Sequence, residues 1–337
     1  MMTTGWFSRI APALLAGFFL AAPADAAPAR YYSLGTASTA GTWYILGAGF
    51  SGHVNRQLSD IKLTAEITAG SGENYNLVKR GQIDFAMSHP DFAPADIEKR
   101  AISPGAKAPF RQFLWTDAKN DFHWFVRKSS ALKKLADMKG KRVGVGPHGS
   151  GGTVKNIRAI QKITGYEPGK DYQAIYLSYE DMIRGIQDNT IDLAAFFAAY
   201  PIASLVNTAI MTDIRLISLG DDEIAKAVEG DKSAMLLKSI LPAGTYKGQE
   251  AEVPTIGQVQ GILVRAGLPD DDVYRIFKAL FTNLAQRNAV HPQAKGWTVE
   301  ATVDMGVRQA EAGIPFHPGV VRYLKEVGKW RPALEVR

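Results

Sequence analysis

The residues best equipped for chemistry lie in one stretch, Lys141-Arg-Val-Gly-Val-Gly-Pro-His-Gly-Ser-Gly-Gly-Thr-Val-Lys-Asn156. Arg142 to Gly146 reads as a short buried strand. Gly149 to Gly152 can take positive φ and bring backbone close to a ligand. A helix follows, with Val154, Ile157, Ile160 and Ile163 on one face, Ser150 or Thr153 as its cap and Gly165 as its stop. Such a turn aims unpaired N–H groups and the positive end of a helix dipole at one point, where an anion fits. Gly146-x-x-x-x-Gly151 followed by Thr153 nearly spells a phosphate loop, but Gly152 stands where that loop needs Lys. A donor-rich turn without lysine suits a carboxylate better than a nucleotide. An ordinary strand-to-helix turn without a ligand is the competing reading.

Two more turns of this kind precede it. Arg30 to Gly35 reads as a strand running into Thr36-Ala-Ser-Thr-Ala-Gly-Thr42, and a helix follows through Trp43, Leu46, Phe50, Val54 and Leu58. Thr42 and Tyr44 either face a ligand or cap and pack that helix. Leu63 to Thr68 alternates as a strand, and Ala69-Gly-Ser-Gly-Glu-Asn74 opens the next helix. Glu73 is accounted for by a capping interaction with Ser71; Ser71 and Asn74 are the better ligand candidates. Ile83 to Met87 is a strand ending at Ser88-His89-Pro90, and strand C-termini are where open α/β sheets place ligands.

Elements that would position these turns follow in order. Pro94 to Pro109 reads as a surface helix and loop, Phe113 to Thr116 and Phe122 to Arg127 as separate strands, and Ser130 to Met138 as a short helix. Ala174 to Leu177 and Ile191 to Phe197 are strands around a helix capped by Ser178. Asp213 to Leu219 is a strand, Asp221 to Leu241 is mostly helical, and Gln258 to Arg265 matches the Phe122 strand in composition. The halves echo each other: Thr42 precedes Asp84 by 42 residues and Thr153 precedes Asp192 by 39, each Asp within Ile-Asp-(Phe/Leu)-Ala. The spacing predicts two similar α/β lobes whose strand ends face one cleft.

Composition narrows the class. A chain of 337 residues allows two lobes, and 46% hydrophobic with 21% charged residues is ordinary for a globular protein. The net charge of +6 is spread, so no nucleic-acid patch stands out. The chain has no Cys, and its six His residues are scattered, so neither a disulfide nor a zinc site is expected. His148 beside Ser150 is the nearest thing to a nucleophile and base, without a Gly-x-Ser-x-Gly elbow. Ile10 to Ala22, followed by Ala24-Asp25-Ala26, reads as a secretory signal peptide.

Three stretches resemble the TAXI family of solute-binding proteins, the receptors of one branch of tripartite ATP-independent periplasmic (TRAP) transporters. They are Gly35 to Tyr44, Thr68 to Asn74 with Gly81 to Asp84, and Leu135 to Gly151. Leu241 to Tyr246 and Ile314 to Tyr323 are similar to the family's later segments. The resemblance implies a type II periplasmic binding-protein fold: two α/β lobes joined by two hinge strands, at Phe122 to Arg127 and Gly261 to Arg265. It implies a signal peptide at 1–26, a first lobe of 27–123 with 262–337, and a second of 124–261. The implied function is a monomeric periplasmic receptor, not an enzyme. It would bind a glutamate-like amino acid or dicarboxylate and deliver it to TRAP membrane subunits, without cofactor, metal or nucleic acid. An ABC-type receptor for a nitrogenous or sulfonate ligand and an enzyme on the same fold are the alternatives. The expected ligand-binding residues are Thr42, Trp43, Tyr44, Ser71, Gly72, Glu73, Asn74, Ser88, His89, Ser150, Gly151, Gly152, Thr153, Tyr200 and Pro201. Tyr200, at a strand end before Pro201, would narrow the pocket. N-terminal sequencing of the exported protein should begin near Ala27; a membrane-bound product retaining residue 1 would contradict the leader.

Overall fold

The computed structural model describes residues 1–2, 28–93, 95, 108–230 and 235–336. The leader, and most of the surface segment expected over 94–109, lie outside the described residues.

Each half is built by a strand–helix repeat. In the first, β1 (Arg30–Gly35), α1 (Thr42–Gln57), β2 (Ile61–Glu66), α2 (Ser71–Lys79) and β3 (Phe85–Ser88) follow in order. In the second, β5 (Arg142–Gly144), α3 (Gly151–Thr164), β6 (Gln173–Ile175), α4 (Tyr179–Gln187) and β7 (Leu193–Ala198) do the same. Between them runs β4 (Phe110–Arg127). After them come α5 (Ala203–Met211), β8 (Ile214–Leu216), α6 (Asp221–Val228), β9 (Leu237–Leu241) and β10 (Val253–Arg265). The chain closes with α7 (Asp270–Ala279), α8 (Leu284–Asn288), α9 (Val299–Glu311) and α10 (Pro318–Glu326).

The sheet order is β2-β1-β3-β10-β4-β7-β5-β6, with β8 on β4 and β9 on β10. β1 pairs in parallel with β2 and β3, and β5 with β6 and β7. β10 closes the first set antiparallel and β4 the second. The echo in the sequence is therefore an echo in topology. It extends to the two Ile-Asp motifs. Asp84 accepts the Ser33 amide at 3.0 Å and pairs with Arg265 at 2.7 Å. Asp192 accepts the Arg142 amide and pairs with the Arg142 guanidinium, both at 2.8 Å.

The apolar residues form one core in the first lobe, from Leu34 to Trp115 and Ile262 to Leu334, and two in the second. The second lobe's pair follows from strand alternation. Leu193, Ala195 and Phe197 join one core, while Ala194, Phe196 and Ala198 join the other.

Four sequence expectations change. The strands expected at Phe113 to Thr116 and Phe122 to Arg127 are one 18-residue strand, because β10 pairs with Lys119 and Asn120 on one side of a register shift and with Trp115 on the other, carrying the polar Asp117-Ala118 between them. The expected hinge segments do not pair with each other. Phe122 to Phe125 pairs with β7, and Gly261 to Arg265 pairs with Phe110 to Trp115. The passage between cores is Thr116 to Asp121 beside Gly257 to Gln260, with a register shift between Val259 and Gly261. There a Cβ on Gly261 would sit 2.1 Å from the Trp115 ring. The helix from Asp221 ends at Val228, and Leu237 to Leu241 is an edge strand on β10. The segment before β5 contributes only a 3-10 turn, Leu135–Met138.

Buried histidines give the fold a pH dependence. Burial pushes His123 and His317 down to about 4 and also lowers His89 and His291. These rings stay neutral when folded but take up protons once unfolded below about pH 6.5, so stability falls as pH drops from there. Burial raises Asp121 to about 6, which opposes the trend below that pH, one group against four. Each histidine contributes up to about 1.4 kcal/mol per pH unit. Urea midpoints should therefore be clearly lower at pH 5 than at pH 7.5; equal midpoints would contradict this.

Candidate functional site

The strand ends and helix starts of both lobes meet around a cleft of about 350 Å³. The first lobe supplies Ala37 to Thr39, Gly41 to Trp43, Ile67 to Ser71 and His89. The second supplies Pro147, Ser150, Gly152, Ser178 to Glu180, Phe197 and Ala198, and Asn120 comes from the passing strand. Four helices, α1 to α4, begin at its rim. Those of the first lobe start at Gly41 and Gly70 with no side-chain cap, so their leading N–H groups stay available. Gly70 holds φ of +100°, a conformation glycine favours. Ser150 caps α3 by accepting from Gly152 N at 3.2 Å, and Ser178 caps α4 by accepting from Asp181 N at 3.1 Å.

One wall is an aromatic and amide relay. Trp43 stacks on His89 with ring centroids 4.8 Å apart, and its indole N–H donates to Asn120 Oδ1 at 3.0 Å. That fixes the Asn120 amide, whose Nδ2 donates to His89 Nε2 at 3.0 Å. His89 is thus the neutral ring with its proton on Nδ1. Burial keeps its pKa well below the usual histidine range, and Lys155 adds to this. On the facing wall the Tyr179 hydroxyl donates to Phe197 O at 3.1 Å and accepts from Phe197 N at 3.0 Å. Burial pushes that phenol up to about 12.

Side-chain hydrogen bonds hold the lobes together across the cleft. Thr42 Oγ1 donates to Ala199 O, Ser204 Oγ to Ala40 O at 3.0 Å, and Ser38 Oγ to both Glu180 oxygens at 3.1 and 3.3 Å. Among the described residues Glu180 is the one charged side chain lining the cleft.

Of the residues nominated from sequence, Thr42, Trp43, Ser71, His89, Ser150 and Gly152 border this cleft together. The others lie beside it with other partners. Tyr44 is the next residue of α1 and stays off the wall. Glu73 is exposed and accepts from Ala69 N at 2.6 Å instead of bonding Ser71. Asn74 is buried and donates to Thr36 O at 2.6 Å and Met87 O at 3.0 Å. Ser88 donates to His89 O at 3.3 Å, and Thr153 to Pro147 O at 2.7 Å. Gly72 and Gly151 are interlobe contacts: a Cβ on Gly72 would lie 2.9 Å from Gly149 O, and one on Gly151 2.3 Å from Ser71 Oγ. Of Gly149 to Gly152, Gly149 alone has positive φ, because Gly151 and Gly152 already belong to α3. Tyr200 borders a separate cavity of about 590 Å³, and Tyr200 O accepts from Gln293 at 3.1 Å. Pro201 O faces His291 Nε2 at 3.3 Å. His148 stacks on Tyr176 with centroids 3.9 Å apart.

Two alternating α/β lobes with a cleft at their strand ends define the type II periplasmic binding-protein fold. A model of the NMT1-like family matches residues 34–328, and the chain belongs to that family. Among solved structures, the chain is similar to the binding protein component of an ABC phosphonate transporter from Pseudomonas aeruginosa. The TM-score is 0.53 with 11% identity, covering 89% of this chain and 95% of that one. It is also similar to the alkanesulfonate-binding protein of Xanthomonas axonopodis pv. citri bound to MOPS, at a TM-score of 0.45 and 16% identity over 92% and 98% of the two chains. At these identities the likeness is one of fold. Among the described residues no helix is long and apolar enough to cross a membrane.

The hydrogen bonds sort capping from clamping. Asn74→Ala loses both Nδ2 bonds, leaving Met87 O without this donor and Thr36 O with Thr68 Oγ1 alone, and should lower stability without ligand by about 2–3 kcal/mol. Ser150→Ala loses one cap, worth about 1 kcal/mol. Equal losses in denaturant titrations would refute the clamp.

Proposed function

We propose that this chain is an extracytoplasmic solute receptor. In this reading the lobes 27–123 with 262–337 and 124–261 close on a small organic acid and deliver it to TRAP membrane subunits, the protein acting as a monomer. The observation that carries it is the cleft: both lobes line it, four helices start at it, and among the described residues neither Lys nor Arg lines it. The sequence resemblance to the TAXI family supports the TRAP partner.

The same wall favours one kind of acid. Helix starts supply N–H donors and partial positive charge for a single carboxylate. Glu180, on the first turn of α4, would meet a positively charged group. A zwitterionic amino acid satisfies both ends. A dicarboxylate or phosphonate brings a second negative charge toward Glu180 with no cation in the wall to balance it.

Mass spectrometry of solute released on denaturing the purified protein should therefore show an amine-bearing carboxylic acid. By calorimetry Ser71→Ala and Ser150→Ala should each weaken its binding roughly ten- to a hundredfold, the scale of a charge-assisted hydrogen bond, and Thr42→Ala should weaken it through loss of the bond to Ala199 O across the cleft. Glu180→Gln should weaken an amino acid by a similar factor and spare the matched 2-hydroxy acid. Tight binding of an alkylphosphonate or alkylsulfonate instead would favour the ABC-type reading, and wild-type affinity in all four variants would place the ligand elsewhere.

A further inference from the structure

Outside the cleft, one charged pair among the described residues joins the lobes. Lys155 lies on the second turn of α3 in the second lobe, only 6% exposed. Its Nζ sits 3.0 Å from Asp91 Oδ2 and 4.3 Å from the Phe92 ring centroid. Asp91 and Phe92 follow β3 in the first lobe, and Phe92 packs against the first-lobe core. Asp91 Oδ1 also accepts from Gln258 Nε2, on the passing strand β10, at 3.1 Å. Every other ion pair among the described residues, such as Arg142–Asp192 or Arg275–Asp60, stays within one lobe.

Position gives this pair leverage. Lys155 is four residues after Gly151, on the same helical face, and Gly151 itself packs against Ser71 and Phe92. The pair therefore presses the first turn of α3, which carries Ser150 and Gly152, against the first lobe. Neither Lys155 nor Asp91 borders the cleft. Parting the lobes would separate the charges and return both to water, whereas removing one partner leaves the other buried and uncompensated in the closed form alone.

We propose that Lys155 is a positioning residue: its ion pair with Asp91 holds the two lobes closed and so sets how long a solute stays in a cleft that it does not touch. This rests on the reading of that cleft as a closing receptor site.

The test reads lobe separation directly. The chain has no Cys, so Tyr31→Cys and Met211→Cys, one exposed site per lobe, can carry spin labels without background. Distances are measured by pulsed electron resonance on purified full-length protein without added solute. Lys155→Met should shift the ratio of closed to open populations by roughly tenfold toward longer distances. Lys155→Arg should keep the wild-type distribution. The double variant Lys155→Met with Asp91→Leu, which buries no charge, should recover most of the closed population. Should Lys155→Met fail to fold, Asp91→Asn reads the same shift from the other partner. An unaltered distribution in folded Lys155→Met or Asp91→Asn would overturn the proposal. So would a shift in Lys155→Met that the double variant does not reverse. A wild-type distribution that no amino acid of a full panel alters would instead sink the receptor reading while leaving this comparison of variants to stand.

Discussion

Parallel strands that part at their C-terminal ends expose carbonyls that nothing in the sheet can pair, and both lobes meet that constraint in one way. In the first, Asn74 bridges Thr36 O and Met87 O, holding the ends of β1 and β3. In the second, Asn156 bridges Val145 O and Ala195 O at 3.0 Å each, holding the ends of β5 and β7. Away from those ends Asp192 accepts the first amide of β5, and Asp84 accepts the Ser33 amide within β1. With the strands so fixed, the turns from strand to helix come out at one level and point at one place. An unpaired buried amide costs as much as a lost hydrogen bond, so the clamps are what make a donor-lined cavity compatible with a stable fold.

The lobes share two strands and little else. β4 and β10 run antiparallel through both cores, and the polar stretch between carries Asn120 and Gln258 to the cleft side and to Asp91. The close approach of Gly261 to Trp115 fixes their spacing on the first-lobe side. Movement concentrated in Thr116 to Asp121 and Gly257 to Gln260 would leave each core intact, as hinge segments of a few residues do. Contacts that span the cleft are mostly single hydrogen bonds, worth about 1 kcal/mol each.

The strand–turn–helix units were legible because each carries a local signature: β-rich run, small-residue turn, amphipathic helix. The duplication followed from two Ile-Asp motifs, and the cap at Ser150 and stop at Gly165 are where sequence chemistry places them. What eluded the sequence is tertiary. Asp117 to Asn120 has turn composition but is held extended by β10. Leu237 to Leu241 pairs as an edge strand although its composition suits a helix. In the cleft, residues at helix starts were found by their turns. Asn120 gave no local signal because it sits mid-strand, and Glu180 read as an ordinary helix-start acid. Asn74 and Thr153 looked like ligand donors because a clamp and a turn-closing hydroxyl use the same residue types.

The charge of the cleft differs in character from that of the chain. The protein carries +6 overall, yet its cations stay out of the cavity. A spread positive field raises the encounter rate of anions but cannot distinguish among them. Discrimination falls to the wall, where each helix start contributes a fraction of a positive charge fixed in direction. Glu180 contributes one full negative charge on the side of the second lobe. Ser38 of the first lobe donates to that carboxylate, so the closure proposed above would shield Glu180 from water as a ligand is enclosed. A positively charged group beside it then gains from the lower dielectric, and a second anion pays for it. In that reading selectivity would arise from closure itself, with neither lysine nor arginine among the described residues that line the site.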